Sequence, residues 1–109
     1  MPSFNDYQQQ SITTRRGDLG DREAMLNATL GLTGEAGEVA NLVKKAHYHN
    51  HPLENAKLVD ELGDVLFYVA WLADLLEVSL EEVARRNSEK LRRRYPNGFS
   101  AQASRERVA

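Results

Sequence analysis

Apolar residues recur at intervals of three and four along most of the chain, which is the spacing of a buried helical face. Four segments carry this pattern and end at polar residues, glycine or proline. They predict a short helix over residues 4–14, long helices over 22–47 and 53–77, and a last helix that begins at Ser79 and stops before Pro96. No alternating apolar pattern is long enough for a strand. The sequence therefore predicts an all-α helical bundle of about four helices, with two long central antiparallel helices.

Local signals refine the ends and interiors of these helices. Ser3 is placed as the N-cap of the first helix, and Ser79 with Glu82 three residues later matches a capping box. Gly31 and Gly34 predict a break or a bend within the first long helix.

Length and composition set the class of protein. A chain of 109 residues is enough for one core, and we assign residues 1–96 to a single domain and residues 97–109 to a mobile tail. With 41% apolar residues, 28% charged residues and a formal charge of −2, the chain has no bulk attraction to nucleic acid or to a membrane. Cysteine is absent, which excludes disulfides, thiolate metal sites and thiol nucleophiles. With no signal peptide or membrane span visible, we expect a cytoplasmic protein.

An acidic pentapeptide occurs twice, as EAGEV at 35–39 and ELGDV at 61–65. On helical wheels Glu35 with Glu38, and Glu61 with Asp64, fall on the apolar side of their helices. Burying ionised carboxylates costs several kcal/mol each unless a positive charge compensates. Four carboxylates on two helices form an oxygen-rich set suited to Mg²⁺, with Mn²⁺ as a substitute. The pattern thus predicts a metal site between the two long helices.

Two further patterns accompany the carboxylates. Gly37 and Gly63 inside the pentapeptides predict a close approach of backbones, since glycine is costly within a helix. His47, His49 and His51 suggest zinc, but they lack the helical spacing of ligands and no cysteine completes a set. A solvated connection is the favoured interpretation of the three histidines.

Two long stretches carry a resemblance to a known family: GLTGEAGEVANLVKK, and KLVDELGDVLFYVAWLADLLEVSLEEVARRNSEKLRRRYPNGF. The chain resembles the MazG-like nucleotide pyrophosphohydrolases, an all-α family. The resemblance implies hydrolysis of nucleoside triphosphates between the α and β phosphates, with Mg²⁺ held by Glu35, Glu38, Glu61 and Asp64. Many relatives have a further glutamate where this chain has Gly34. The number of ions therefore stays open, as does the choice of Glu35 or Glu38 as the catalytic base that activates water.

Four residues are candidates for substrate binding. The resemblance associates Asn87, Lys90 and Arg93 on the last helix with substrate or phosphate contacts, and cationic side chains suit a triphosphate. The alternative is that Lys90 and Arg93 only complement the helix C-terminus. Tyr68 faces the carboxylate side, where it would contact the nucleoside or serve as a core tyrosine.

Other aromatic and polar residues have positions that the sequence leaves open. Trp71 lies off the main apolar stripe, and burial in a subunit interface is its favoured role over stacking on a base. Tyr7 and Gln8 would close over the nucleoside if the first helix covers the site. Because two long helices cannot cover all their apolar faces, we expect a dimer or a tetramer with sites near the subunit interfaces.

The favoured function is a nucleoside triphosphate pyrophosphohydrolase that removes unwanted nucleotides. Other functions remain as alternatives. Phosphoribosyl-ATP pyrophosphatases share the fold and a similar acidic motif, but Asn87, Lys90 and the Tyr95-Pro96 pair favour the MazG-like branch. A non-catalytic helical dimerisation module is the rival of another class. A nucleic-acid module is disfavoured because the basic cluster at residues 92–94 is short. Base and sugar preference depend on the shape of a pocket built from several helices.

Overall fold

The computed structural model describes residues 3–107, and all its regular elements are helices. This confirms the all-α class, and no β-strand occurs in residues 3–107. The helices are α1 Phe4–Ile12, α2 Asp21–Tyr48, α3 Asn55–Leu75, α4 Leu80–Arg94 and α5 Ala101–Arg105.

The helix ends follow the local signals with one exception. The Ser3 hydroxyl accepts a hydrogen bond from the Asp6 backbone N–H, and the Asp6 carboxylate accepts one from the Ser3 backbone, so α1 has a complete capping box. At α4, the Ser79 hydroxyl accepts from the backbone N–H of Glu82. The Glu82 carboxylate pairs with the guanidinium of Arg85 instead of reaching back, so only half of the second box forms.

Helix α2 is one uninterrupted helix of 28 residues, so no break occurs at Gly31 or Gly34. The structure also adds a helix that the sequence pattern did not indicate. Helix α5 lies in the segment that we assigned to a tail, and Ser100 caps it by accepting from the Ala103 backbone N–H.

Helices α2 and α3 pack against each other and form the centre of the molecule. Their buried contact consists of Ala24, Ala28 and Trp71, with Phe67 and Leu72 half-buried beside them. Trp71 is only 3% exposed. Our assignment of this side chain to a subunit interface is therefore wrong, because it fills the space that the two alanines leave between α2 and α3.

Helices α1 and α4 both pack against α3 on another side. Ala70, Ala73 and Leu80 are buried there, and Tyr7 and Val69 lie partly buried against them. Four of the six buried apolar residues of the described chain are alanines, so the interior is narrow. None of the described helices combines the length and apolar character of a membrane span.

Candidate active site

Three of the four motif carboxylates converge where α2 faces α3. One carboxylate oxygen each from Glu35, Glu61 and Asp64 lies within 4.8 Å of the others. Glu35 lies on α2, whereas Glu61 and Asp64 lie one turn apart on α3. The antiparallel packing of the two helices thus brings together residues that are 26 to 29 positions apart in the sequence.

Glu38 stands beside this triad and is not part of it. Its side chain is exposed, but its negative charge contributes to raising the pKa of Glu61. Glu38 therefore lies close enough for its charge to act on Glu61, while its own oxygens lie outside the group of three.

Glu61 is the carboxylate of the triad whose pKa is raised. A hydrogen bond shared with Glu35 is the main cause that raises the pKa of Glu61, followed by burial and by the negative charges of Glu35, Asp64 and Glu38. Oxygen Oε2 of Glu61 is buried and has no hydrogen-bond donor in the described chain. Ionised carboxylates cannot donate to one another, so above the pKa of Glu61 the triad requires an external cation or proton.

No side chain among residues 3–107 supplies that cation. The ion pairs found within residues 3–107 hold Asp18, Glu54, Asp74, Glu82 and Glu89, none of which belongs to the motif. Three carboxylate oxygens at this spacing suit a hard divalent cation bound at about 2.0–2.6 Å, because Mg²⁺ and related ions prefer oxygen ligands. The donor set therefore fits a magnesium site.

The predicted cationic and amide residues lie elsewhere on the chain. Asn87, Lys90 and Arg93 line a groove of about 640 Å³ between α3 and α4, which Phe4 borders on one side. The groove is lined mainly by apolar side chains. It shares no residue with the carboxylate triad.

Comparison with known proteins identifies this combination of helices and carboxylates. Residues 23–99 match the model of the MazG nucleotide pyrophosphohydrolase domain. The chain belongs to this family. The match contains both acidic pentapeptides and helix α4, and it confirms the resemblance stated from the sequence.

Two relatives share this similarity. The chain is 45% identical to the Gene 37 protein of Mycobacterium phage L5 over 86 residues, which cover 75% of each chain. It is 37% identical to the Uncharacterized protein YvdC of Bacillus subtilis (strain 168) over 73 residues, which cover 59% of this chain and 69% of the relative. No solved structure gives a significant match.

In this MazG domain, Tyr68 lies one turn beyond the triad and packs tightly against α2. A β-carbon at Gly31 would overlap the Tyr68 ring. The ring also stacks on Trp71, with centroids 5.9 Å apart and an interplanar angle of 22°. The structure thus gives Tyr68 a packing role at the edge of the site, and its contact with substrate remains a prediction.

Gln8 has a structural role that the sequence did not reveal. It is 4% exposed, and its amide donates to the backbone oxygens of Ala70 and Val78 while its own oxygen accepts from the Leu80 N–H. With its polar groups occupied, Gln8 cannot close over a nucleoside. That interpretation is wrong for Gln8.

Tyr7, next to Gln8, lies half-buried against Ala70 and Leu80. Burial raises the pKa of the Tyr7 hydroxyl, and the charge of Asp64 raises it further. Helix α1 therefore places a neutral phenol in the field of the carboxylates. The position of α1 could not be predicted from the sequence, because the apolar pattern of a helix does not indicate which helix it packs against.

The remaining site predictions fall away from the triad. The side chains of His47, His49 and His51 are exposed and belong to no metal-binding group among the described residues. Within the chain, a β-carbon at Gly37 or Gly63 would meet nothing within 4 Å. The predicted close approach at these two glycines is wrong, because both face away from the neighbouring helices.

Proposed function

We propose that the protein is a Mg²⁺-dependent nucleoside triphosphate pyrophosphohydrolase that releases a nucleoside monophosphate and pyrophosphate. The convergence of Glu35, Glu61 and Asp64 from two helices carries the proposal. A triphosphate is strongly anionic and cannot approach three carboxylates unless a cation lies between them. Membership of the MazG family supports the same chemistry.

Each motif carboxylate has a distinct role in this proposal. Glu35, Glu61 and Asp64 would hold Mg²⁺, and Mn²⁺ would serve as a substitute. An ion held there would supply positive charge that offsets the charge of the phosphates and would make a water molecule easier to deprotonate. Glu38 lies outside the triad and is exposed, so it is the carboxylate available to take the proton from the attacking water.

The substrate is held by the residues of α4. Lys90 and Arg93 are cations within the described groove, and charge-assisted hydrogen bonds from such groups suit phosphate oxygens. The Asn87 amide offers donors and an acceptor to the substrate. We place the reaction in the cytoplasm, where it would remove unwanted or non-standard nucleotides, and we expect the chain to act as a dimer or tetramer.

The test is product release from a panel of ribo- and deoxynucleoside triphosphates with Mg²⁺. Pyrophosphate and monophosphate are quantified together for the wild-type chain, for the same chain in EDTA, and for Glu38→Gln. The control is Asp60→Asn, which removes an exposed carboxylate of α3 that lies outside the triad. We expect Glu38→Gln to lower turnover about 10²–10⁴-fold and Asp60→Asn to leave it unchanged.

Each other outcome points to a different function. A folded protein that releases neither product from any triphosphate contradicts the proposal, and phosphoribosyl-ATP is then the next substrate. Absence of turnover with that compound, together with metal-independent association of the chains, would identify a non-catalytic helical module. Orthophosphate release in place of pyrophosphate would place the cleavage at another phosphate.

A further inference from the structure

The helix faces that carry the motif carboxylates also carry two lysines. On α3, Lys57 precedes Glu61 by four residues and Asp64 by seven, which places the three within an arc of about 60° on the helical wheel. On α2, Lys45 follows Glu38 by seven residues, at an angle of about 20° from it. Both lysines therefore lie between the carboxylates and the connection that joins α2 to α3.

Lys45 and Lys57 line a small pocket beside that connection, which we call the lysine pocket. Leu42, four residues beyond Glu38 on α2, forms part of its wall. The pocket has a volume of about 130 Å³, which is about four times the share of one water molecule in the liquid. Sites for larger organic ligands start at about 300 Å³. The lysine pocket therefore has room for a small ion but not for a nucleoside.

The charge of the lysine pocket is mainly positive, and its cations are available to a ligand. Lys45 is half-buried, and its ammonium has no ion pair or hydrogen bond among residues 3–107. Lys57 pairs with Glu54, the one carboxylate of the lining, at 3.4 Å. Both side chains of this pair are more than half exposed, so the pair contributes little and yields to an anion of higher charge.

The triad lies between the lysine pocket and an aromatic side chain. Lys57 is four residues before Glu61, and Tyr68 is four residues beyond Asp64, so the two mark opposite ends of the site along α3. A nucleoside triphosphate likewise has an anionic end and an aromatic end. Ammonium groups suit phosphate oxygens, and an aromatic ring suits a base. Complementarity thus turns the phosphates toward the lysine pocket and the base toward Tyr68.

We propose that the lysine pocket binds the two terminal phosphates of the substrate and then the pyrophosphate product. Water adds to the α phosphorus and its proton passes to Glu38, while the bond from this phosphorus to the bridging oxygen breaks. That oxygen leaves with the electron pair as part of pyrophosphate. Negative charge therefore grows on the side of the triad where Lys45 and Lys57 lie, and their ammonium groups stabilise it. The proposal rests on the proposed function, because it assigns the pocket to a product of that reaction.

The test is binding of inorganic pyrophosphate to the chain in Mg²⁺, measured by titration calorimetry. Lys45→Met and Lys57→Met each remove one ammonium and keep an apolar stem. We expect each to weaken pyrophosphate binding about 10-fold or more, because a hydrogen bond between charged groups is lost. Lys44→Met is the matched control, since Lys44 is the neighbour of Lys45 but does not line the pocket. It should leave the affinity unchanged.

A nucleoside monophosphate is titrated in parallel, and none of the three substitutions should change its affinity. Three results overturn the proposal. One is a wild-type chain that does not bind pyrophosphate, and another is wild-type pyrophosphate affinity in both Lys45→Met and Lys57→Met. The third is equal weakening by Lys44→Met or an equal loss for the monophosphate, because either would show a general effect of charge in place of a pocket.

Product inhibition supplies a kinetic readout that a purely structural role would not move. In Lys57→Met, inhibition of turnover by pyrophosphate should weaken about 10-fold, while inhibition by the monophosphate stays as in the wild type. An active wild-type chain whose pyrophosphate inhibition is unchanged in both lysine variants contradicts the proposal. Failure of the proposed function looks different, because the wild-type chain then hydrolyses no triphosphate, whatever it binds.

Discussion

Gly31 is the position where a missing side chain allows α2 to lie against α3. An alanine there would place its β-carbon within the Tyr68 ring, so the ring must move and the packing around Trp71 loosens. We expect Gly31→Ala to lower the free energy of unfolding by about 1–3 kcal/mol, measured by urea denaturation.

Gly34→Ala is the matched control for that substitution, because a β-carbon at Gly34 meets nothing within 4 Å in the same helix. Alanine is the better helix former, so this variant is expected to gain about 0.5–1 kcal/mol. Equal effects of the two substitutions would contradict the packing described for Tyr68.

Glu61 makes the stability of the metal-free chain depend on pH. Because the folded state raises the pKa of Glu61, its protonated form contributes stability that is complete below the unfolded carboxyl pKa of about 4.3. This stability is lost as pH rises through the higher pKa of the folded state. We expect the melting temperature in EDTA to fall on this account as pH is raised from about 4 toward 8. Mg²⁺ is expected to restore it at the upper end of this range by binding the ionised triad.

The Glu61→Gln variant separates this effect from other titrations. Its amide stays neutral, so the variant should lose the fall in melting temperature that Glu61 causes and also the stabilisation by Mg²⁺. Asp60→Asn serves as the control and should retain both. Mg²⁺ stabilisation that survives in Glu61→Gln would show that the ion binds elsewhere.

Residue spacing predicted the carboxylates of the site and failed at positions that depend on the partner helix. A repeat of two carboxylates three residues apart places Glu61 and Asp64 on one face whatever surrounds them. By contrast, Gly31 matters only because Tyr68 faces it, and Trp71 is buried only because Ala28 leaves room. Such pairings depend on the register of α2 against α3, which a single helix pattern does not contain.

At the scale of elements, Gln8 ties α1 to the turn between α3 and α4. One buried amide satisfies the backbone oxygen of Val78 and the backbone N–H of Leu80, which opens α4. We expect Gln8→Ala to lower the free energy of unfolding by about 2–4 kcal/mol, because it leaves buried backbone groups without partners. Chemical denaturation measures the loss.

Gln9→Ala is the control for Gln8, because Gln9 is exposed on the same helix and should change stability by less than about 0.5 kcal/mol. Catalytic activity of Gln8→Ala should follow its folded fraction. A Gln8→Ala chain as stable as the wild type would show that the three hydrogen bonds contribute nothing net.

The periodic pattern predicted the four main helices to within a few residues because each buries an apolar stripe against a neighbour. Helix α5 was not predicted because five residues are too few to show a period.

The second capping box formed only in part, since Arg85 and Arg86 lower the pKa of Glu82 to about 2 and hold its carboxylate on the helix surface. Arg85 and Arg86 lie within the same helix as Glu82 and compete with the cap for its carboxylate. Residue spacing alone does not show which of these contacts forms.

At the scale of the whole molecule, the sequence predicted that one chain could not cover its own apolar faces. The structure agrees in that leucine and valine side chains are exposed on α2, α3 and α4. The choice of faces that pair could not be predicted, because α3 presents different residues to α2, α1 and α4. Only the packed helices show that Val59 and Leu62 are exposed on the same turns of α3 that carry Glu61 and Asp64.

The narrow alanine interior, together with the dimer or tetramer that we expect, would make the folded state subject to mass action. A chain that relies on a second copy to cover its apolar surface loses stability on dilution, so its melting temperature should rise with protein concentration. Scanning calorimetry at concentrations a hundredfold apart measures this dependence, and an unchanged midpoint would contradict it. In dilute solution the specific activity of the protein would then fall, and kinetic constants would carry meaning only beside the chain concentration at which they were obtained.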